Sequence, residues 1–103
     1  MPLIKNKLVG NGNAQTLLDI PGTVLWGSLN IVAANDNIAS SSIVVHISDN
    51  AVPGDIDLVE PGAVIPGKGR YELSCRLVQG GEKVFVTAPA GVSIRAELNV
   101  APE

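Results

Sequence analysis

The chain has 103 residues and a mass of 10.6 kDa, the size of one small domain. Its 10 Asp and Glu outnumber its 7 Lys and Arg, so the net charge is -3 and the pI is near 5.0. This balance argues against nucleic acid or an anionic membrane as a partner, because phosphate binding needs clustered Lys and Arg. No apolar run approaches the roughly 20 residues that span a bilayer, and residues 1–7 lack the apolar stretch of a signal peptide.

The mean hydropathy of +0.30 is high for so small a soluble domain, which has much surface for its volume. We therefore expect a partner to cover part of the apolar surface. The single cysteine, Cys75, excludes an internal disulfide framework and a cysteine zinc site.

Eleven Gly, seven Pro and many Asn and Asp divide the sequence into short segments. A turn signal about every 8–12 residues is typical of an all-β sandwich or barrel. No segment keeps the i, i+3, i+4, i+7 pattern of an amphipathic helix. We predict one all-β domain over 1–103, a single antiparallel β-sandwich of jelly-roll or Ig-like type with about eight short strands. In chain order the predicted strands are 3–9, 14–20, 23–34, 41–48, 56–60, 63–65, 71–77, 83–88 and 91–100.

The first predicted strand has two interpretations. Residues 1–9 form either an edge strand of their own sandwich or an N-terminal arm that adds to the sheet edge of a neighbouring subunit. The second interpretation places the contact between subunits at the amphipathic start, which consists of Pro2, Leu3, Ile4 and Lys5.

In the middle of the chain, Gly27 within 23–34 indicates a bulge or a close approach of another backbone. Residues 35–37, Asn-Asp-Asn, are predicted to form a turn. Strand 41–48 alternates so that one set of its apolar side chains points to the core: Ile43, Val45 and Ile47. His46 faces the other way and is predicted to be partly exposed.

The last third of the chain is predicted to be a three-stranded meander. Strand 91–100 alternates without error, with core positions at Val92, Ile94, Ala96, Leu98 and Val100. Strand 71–77 alternates in the same way and places Cys75 on an apolar face that it shares with Tyr71, Leu73 and Leu77. Gly80 and Gly81 are predicted to close a tight hairpin between the two strands of 70–88.

Catalytic chemistry has little support in the residues. A small hydrolase would need His46, the only conventional base, beside a serine and a carboxylate in a pocket. No nucleophile-elbow motif accompanies it, and a buried Cys75 would be inert. The Gly-rich segment 66–70 lacks the P-loop Lys-Ser/Thr pair, and is predicted to be a hairpin tip or a salt-bridging contact. We predict that the chain is not an enzyme and has no catalytic residue and no cofactor.

A metal or sugar site is the other chemistry that the residues suggest. The candidate metal ligands are Asp49, Asn50, Asp55, Asp57 and Glu60. They lack the dense acidic loop of an EF-hand, and short acidic residues are ordinary turn formers, so calcium is the weaker interpretation and no metal site is predicted. A carbohydrate-binding sandwich would use an exposed Trp26, but the chain has only three aromatic residues to build such a surface.

Short segments along nearly the whole chain form a recognisable layout. They are Lys5-Asn6-Lys7-Leu8-Val9, Thr16-Leu17-Leu18-Asp19-Ile20, Pro21-Gly22-Thr23, Ile31-Val32-Ala33-Ala34-Asn35, the Ile-Pro-Gly turn at 65–67 and the Gly-Gly-Glu segment at 80–82. This layout resembles the small β-sandwich virion proteins of tailed bacteriophages, a group that includes capsid decoration (cement) proteins. These are architectural signatures, so no family binding residue carries over to a position in this chain.

The resemblance implies a structural protein that binds the outer surface of a phage capsid and stabilises the head. Its expected partners are the phage major capsid protein and further copies of itself, with a trimer favoured, and neither nucleic acid nor a membrane. It would be made in the cytoplasm of the host bacterium and reside on the virion. The alternatives are a collar, tail or fibre-attachment virion protein and, outside virions, the carbohydrate-binding sandwich.

Overall fold

The computed structural model describes residues 3–54 and 57–101. Its eight strands are β1 (Leu3–Val9), β2 (Ala14–Asp19), β3 (Trp26–Asn35), β4 (Ser41–Ser48), β5 (Leu58–Ile65), β6 (Arg70–Gln79), β7 (Lys83–Thr87) and β8 (Val92–Val100). They form two four-stranded antiparallel sheets, a first sheet with the order β1-β8-β3-β6 and a second with the order β2-β7-β4-β5. The predicted all-β sandwich is confirmed. In the described part of the chain, no helix is long and apolar enough to span a bilayer.

The strand pairs are nested. β1 pairs with β8, β2 with β7, β3 with β6, and β4 with β5. Such nesting results when one long hairpin is rolled up into two sheets, which is the jelly-roll arrangement. Of the two predicted sandwich types, the jelly roll is therefore the observed one.

The predicted C-terminal meander is wrong. β6 and β8 belong to the first sheet and β7 to the second, so the chain crosses between the sheets at each connection. The turn at Gly80 and Gly81 packs against the β2–β3 connection: the Gly81 N–H donates to the Ile20 carbonyl at 3.0 Å. A side chain on Gly80 would collide with the carbonyl oxygens of Pro21 and Val24. These contacts, which are distant in sequence, direct the chain to the other sheet.

The core lies between the two sheets and follows the predicted alternation. In β8 the five predicted core side chains are at most 9% exposed, and Ile43, Val45 and Ile47 of β4 are at most 8% exposed. Leu29, Ile31 and Ala33 supply the same layer from β3. Burial of these side chains from both sheets is the main favourable term that holds the sandwich together.

Two predicted details of the middle strands have different outcomes. The close approach at Gly27 is confirmed, because a Cβ there would lie 2.8 Å from Leu98 Cδ1 and 2.9 Å from the Asn99 oxygen. The predicted strands 56–60 and 63–65 are one strand, β5, whose register against β4 shifts near Glu60. Ile56, at the predicted start, lies outside the described residues.

Cys75 is exposed, and the prediction that it is buried is wrong. Leu29 pairs with Arg76 while Ile31 pairs with Leu73, so β6 carries a bulge with an extra residue opposite Asn30. At the bulge Cys75 adopts φ +58°, and its N–H donates to Asn30 Oδ1 at 3.0 Å. The extra residue reverses the alternation, so that Leu77 is 66% exposed and Val78 is 1% exposed.

Candidate functional site

The sandwich has two ends with different surfaces. We call the end where β1 begins and β8 finishes the proximal end; it also holds the loops 20–25, 49–54 and 80–82. The distal end holds the loops 10–13, 36–40, 66–69 and 88–91. This division follows from the antiparallel registers, in which every second loop returns to the same end.

Exposed apolar side chains concentrate at the proximal end. Nine large apolar side chains are exposed among the described residues, and six of them lie at or near this end. We call these six the proximal apolar surface: Leu3, Leu25, Trp26, Val52, Leu58 and Leu77. Trp26 is 51% exposed, and it is a diagonal neighbour of Leu77 on the outer face of the first sheet, because Ser28 pairs with Leu77. Contiguous exposed apolar groups mark interaction surfaces, and the Trp26–Leu77 pair is such a group.

The outer face of the first sheet carries most of the basic side chains. Four of the seven Lys and Arg project from it: Lys5, Lys7, Arg70 and Arg95. Among residues 3–54 and 57–101, two acidic side chains share this face, Glu72 and Glu97. A concavity of about 840 Å³ lies on it. Three of the four basic side chains line it, together with one carboxylate, Glu97, and with Asn30, Val32 and Ala34. The face is positively charged in a chain whose net charge is negative.

Three of the four cations form no ion pair within 4.0 Å in the part of the chain that the structure describes. Among the described residues, the ion pairs within 4.0 Å are Lys68–Asp36, Arg70–Glu72 and Lys83–Asp19. Lys7 and Arg95 take part in none of these, although they lie directly opposite each other on β1 and β8. Like charges in that position destabilise a sheet, so an anion bound between them would be favourable.

The N-terminal residues singled out from the sequence lie in β1, which pairs along its whole length with β8 at the edge of the first sheet. Ile4 is half-buried against the core of its own chain, and Leu3 and Lys5 are exposed on the outer face. Pro2 lies outside the described residues. The contact between subunits predicted for these residues stays a prediction.

The structure does not bring catalytic groups to His46. Its side chain is half-buried on the outer face of the second sheet, between the paired positions Leu58 and Phe85. In the described part of the chain it makes no hydrogen bond to a serine or a carboxylate. The nearby Ser48 is buried, and its hydroxyl oxygen accepts a hydrogen bond from the Asn50 N–H at 3.0 Å.

The predicted calcium ligands do not meet in one place within residues 3–54 and 57–101, where no group of three His, Cys, Asp or Glu side chains is arranged to hold a metal ion. Asp57 accepts a hydrogen bond from the Gly54 N–H at 2.7 Å, and Glu60 accepts one from the Tyr71 hydroxyl at 3.0 Å. Asp55 lies outside the described residues. Burial and the neighbouring Glu60 carboxylate together raise the pKa of Tyr71 to about 12.

Polar side chains join the loops of the distal end to one another. The turn predicted at residues 35–37 did not indicate this role. Asn35 is 2% exposed, and its amide nitrogen donates to the carbonyls of Ala39 and Ile65 at 3.0 and 3.1 Å. Lys68 donates to the carbonyl oxygen of Asp36 at 2.7 Å and pairs with its carboxylate at 3.1 Å. The salt-bridging contact predicted for segment 66–70 is therefore present, and it joins two distal loops.

Comparison with known proteins establishes the fold and not the family. No family model matches the chain, and no curated protein matches it. Among solved structures it is similar to a protein of the Bacillus endospore appendages, which are described as a novel family of disulfide-linked pili. The likeness has a TM-score of 0.51 at 9% sequence identity and covers 98% of this chain and 87% of that chain. At this identity the match is one of architecture.

Proposed function

We propose that the protein is a structural protein of a bacteriophage virion that decorates the outer surface of the capsid and stabilises the head. The observation that carries the proposal is the proximal apolar surface, whose six side chains stay exposed in a domain with a complete core. Exposed Leu and Trp side chains are costly in water, and binding to a neighbouring protein would bury them. The layout of short segments that resembles the phage group supplies the kind of neighbour, the major capsid protein.

Symmetry would strengthen such binding. A homo-oligomer, with a trimer favoured, would present the proximal apolar surface several times to a capsid whose own subunits repeat. Each single contact can then be modest, because linked contacts act at a high effective concentration. A jelly-roll core suits this role, because it holds the exposed side chains on a rigid framework.

The test is co-sedimentation with undecorated phage capsids, with the melting temperature of the heads as a second readout. We expect the wild-type protein to bind saturably and to raise the melting temperature. The double variant Trp26→Ser/Leu77→Ser should bind at least about 30-fold more weakly, since a buried Trp anchor contributes roughly 2 kcal/mol or more. Both side chains are exposed, so the variant should fold normally.

Ile38→Ser is the matched control, because Ile38 is 91% exposed but lies in a distal loop. It should bind capsids as the wild type does. Equal weakening by both variants would contradict the assignment of the proximal end as the contact. A wild-type protein that ignores capsids but sediments with isolated collars, tails or fibres would support the alternative position in the virion, and one that binds none of them would overturn the proposal.

A filament subunit is the second candidate, favoured by the fold that the chain shares with the endospore appendage protein. That protein belongs to disulfide-linked pili, whereas this chain has one cysteine, the exposed Cys75. One thiol can join two copies and no more, so disulfides between copies of this chain cannot propagate a filament. Electron microscopy of the concentrated protein separates the two candidate functions. Filaments that persist in the presence of a reducing agent would favour the filament subunit over the capsid decoration protein.

A further inference from the structure

We infer that the basic concavity on the outer face of the first sheet binds the 49–54 loop of a second copy of this chain through the loop's one carboxylate, Asp49, in a head-to-tail contact. The inference rests on the proposed role as an assembling structural protein, and it adds the surfaces through which copies of the chain meet. It concerns contacts between copies. Of the six side chains assigned to the capsid it uses Val52 alone, so the other five, which include Trp26 and Leu77, stay available to the capsid.

The receiving surface combines charge with an apolar floor. Lys7, Arg70 and Arg95 line the concavity with one carboxylate, Glu97, and Val32 and Ala34 lie between the basic side chains on β3. Arg70 is paired with Glu72, so Lys7 and Arg95 are the cations left for a ligand. Lys7 and Arg95 repel each other across β1 and β8, and neither has an acidic side chain within 4.0 Å among the described residues. A carboxylate placed between them would remove that repulsion and form charge-assisted hydrogen bonds. The volume of about 840 Å³ is sufficient for a short loop.

The 49–54 loop has the complementary properties. It begins at the exposed Asp49, and its Val52 side chain is 79% exposed. Beyond it, the backbone N–H of Gly54 donates to Asp57 at 2.7 Å. A carboxylate beside an exposed Val matches a surface that offers basic side chains beside Val32.

A loop cannot reach the concavity of its own chain. The 49–54 loop follows β4 of the second sheet at the proximal end, whereas the concavity faces away from the second sheet and lies toward the distal end, near Val9 and Ser93. The contact must therefore join two copies through different surfaces. An interface of that kind is heterologous, so it leaves one free loop and one free concavity on each pair and can add further copies.

Complementation between two variants tests the contact. Arg95→Glu disables the concavity and Asp49→Lys disables the loop, so each variant alone should self-associate at least roughly tenfold more weakly than the wild type in sedimentation velocity at low salt. An equimolar mixture should regain a heterodimer, because the intact concavity of Asp49→Lys meets the intact loop of Arg95→Glu. Arg76→Glu is the matched control: it makes the same charge change at an exposed position of β6 that does not line the concavity, and it should associate as the wild type does.

Several results would overturn the inference. A wild-type protein that is monomeric at all concentrations and at low salt would do so. So would a result in which Arg95→Glu weakens association and Asp49→Lys does not, because another anionic group would then occupy the concavity. A mixture that stays monomeric would exclude the head-to-tail arrangement. The capsid assay separates this outcome from that of the proposed function: a wild type that binds capsids but does not self-associate refutes only the present contact.

Discussion

Replacing Gly27 with alanine tests how closely β3 and β8 approach in the first sheet. The new Cβ would lie 2.8 Å from Leu98 Cδ1 and 2.9 Å from the Asn99 oxygen, both well inside normal contact distance. Leu98 is fully buried and cannot turn away, and the Asn99 oxygen belongs to the backbone of β8. Overpacking of this kind costs about 1–3 kcal/mol, and the loss of glycine flexibility in the unfolded chain returns about 0.4–1 kcal/mol. We expect a net loss of about 1–2 kcal/mol.

Urea unfolding followed by circular dichroism measures this loss, and thermal unfolding should show a lower Tm by roughly 4–8 °C per kcal/mol. Gly22→Ala is the matched control, because no atom lies within 4 Å of a Cβ at Gly22; it should be as stable as the wild type or more stable. The Leu98→Ala background should reduce the cost of Gly27→Ala, since one of the two clashes disappears. If Gly27→Ala is as stable as Gly22→Ala, the spacing of β3 and β8 described above is wrong.

Three further changes have defined outcomes. Leu98→Asp should unfold or insolubilise the protein, because it buries an unpaired charge. Arg95→Ala should leave the free energy of unfolding within about 0.5 kcal/mol of the wild-type value, because Arg95 faces solvent. If circular dichroism and urea titration give the opposite result, the register of β8 is wrong by one residue. The Cys75 thiol should react with a thiol reagent in the folded protein about as fast as in urea, and strong protection would contradict its exposure at the bulge. The folded state holds the Tyr71 proton more tightly than the unfolded state, because the Tyr71 pKa is about 12 in the fold against an ordinary value of 10.0. The free energy of unfolding should therefore fall as pH rises through this interval. Urea unfolding should show that Tyr71→Phe loses less stability than the wild type between about pH 9 and 11, and equal losses would refute this reasoning.

Alternation predicted the strands well wherever a strand is regular and one of its faces is buried. β8 has no bulge and pairs with both β1 and β3, so each of its predicted core positions is buried. The same holds for Ile43, Val45 and Ile47 in β4. In such strands a period of two leaves only one register that buries the apolar set, and the sequence alone determines it.

The bulge in β6 and the assignment of β7 to the second sheet could not be predicted from the sequence, for physical reasons. The bulge at Cys75 depends on Asn30, 45 residues away, whose side chain accepts the Cys75 N–H, and nothing in the sequence of 71–77 signals that partner. The Gly80–Gly81 turn is equally suited to a hairpin and to a crossing between sheets. Its packing against the β2–β3 connection decides between them, and that contact exists only in the folded chain.

The distribution of charge also differs from what the composition suggests, and it bears on the kind of partner. A net charge of -3 gives no indication that four of the seven cations share one sheet face, because net charge is a sum and a partner responds to the local potential. With Glu72 and Glu97 on the same face, the local excess is small. A protein that makes about 6–10 phosphate contacts uses more cations than the four on this face. A loop with one carboxylate needs only one or two cations beside an apolar floor, and this requirement matches Lys7, Arg95 and Val32.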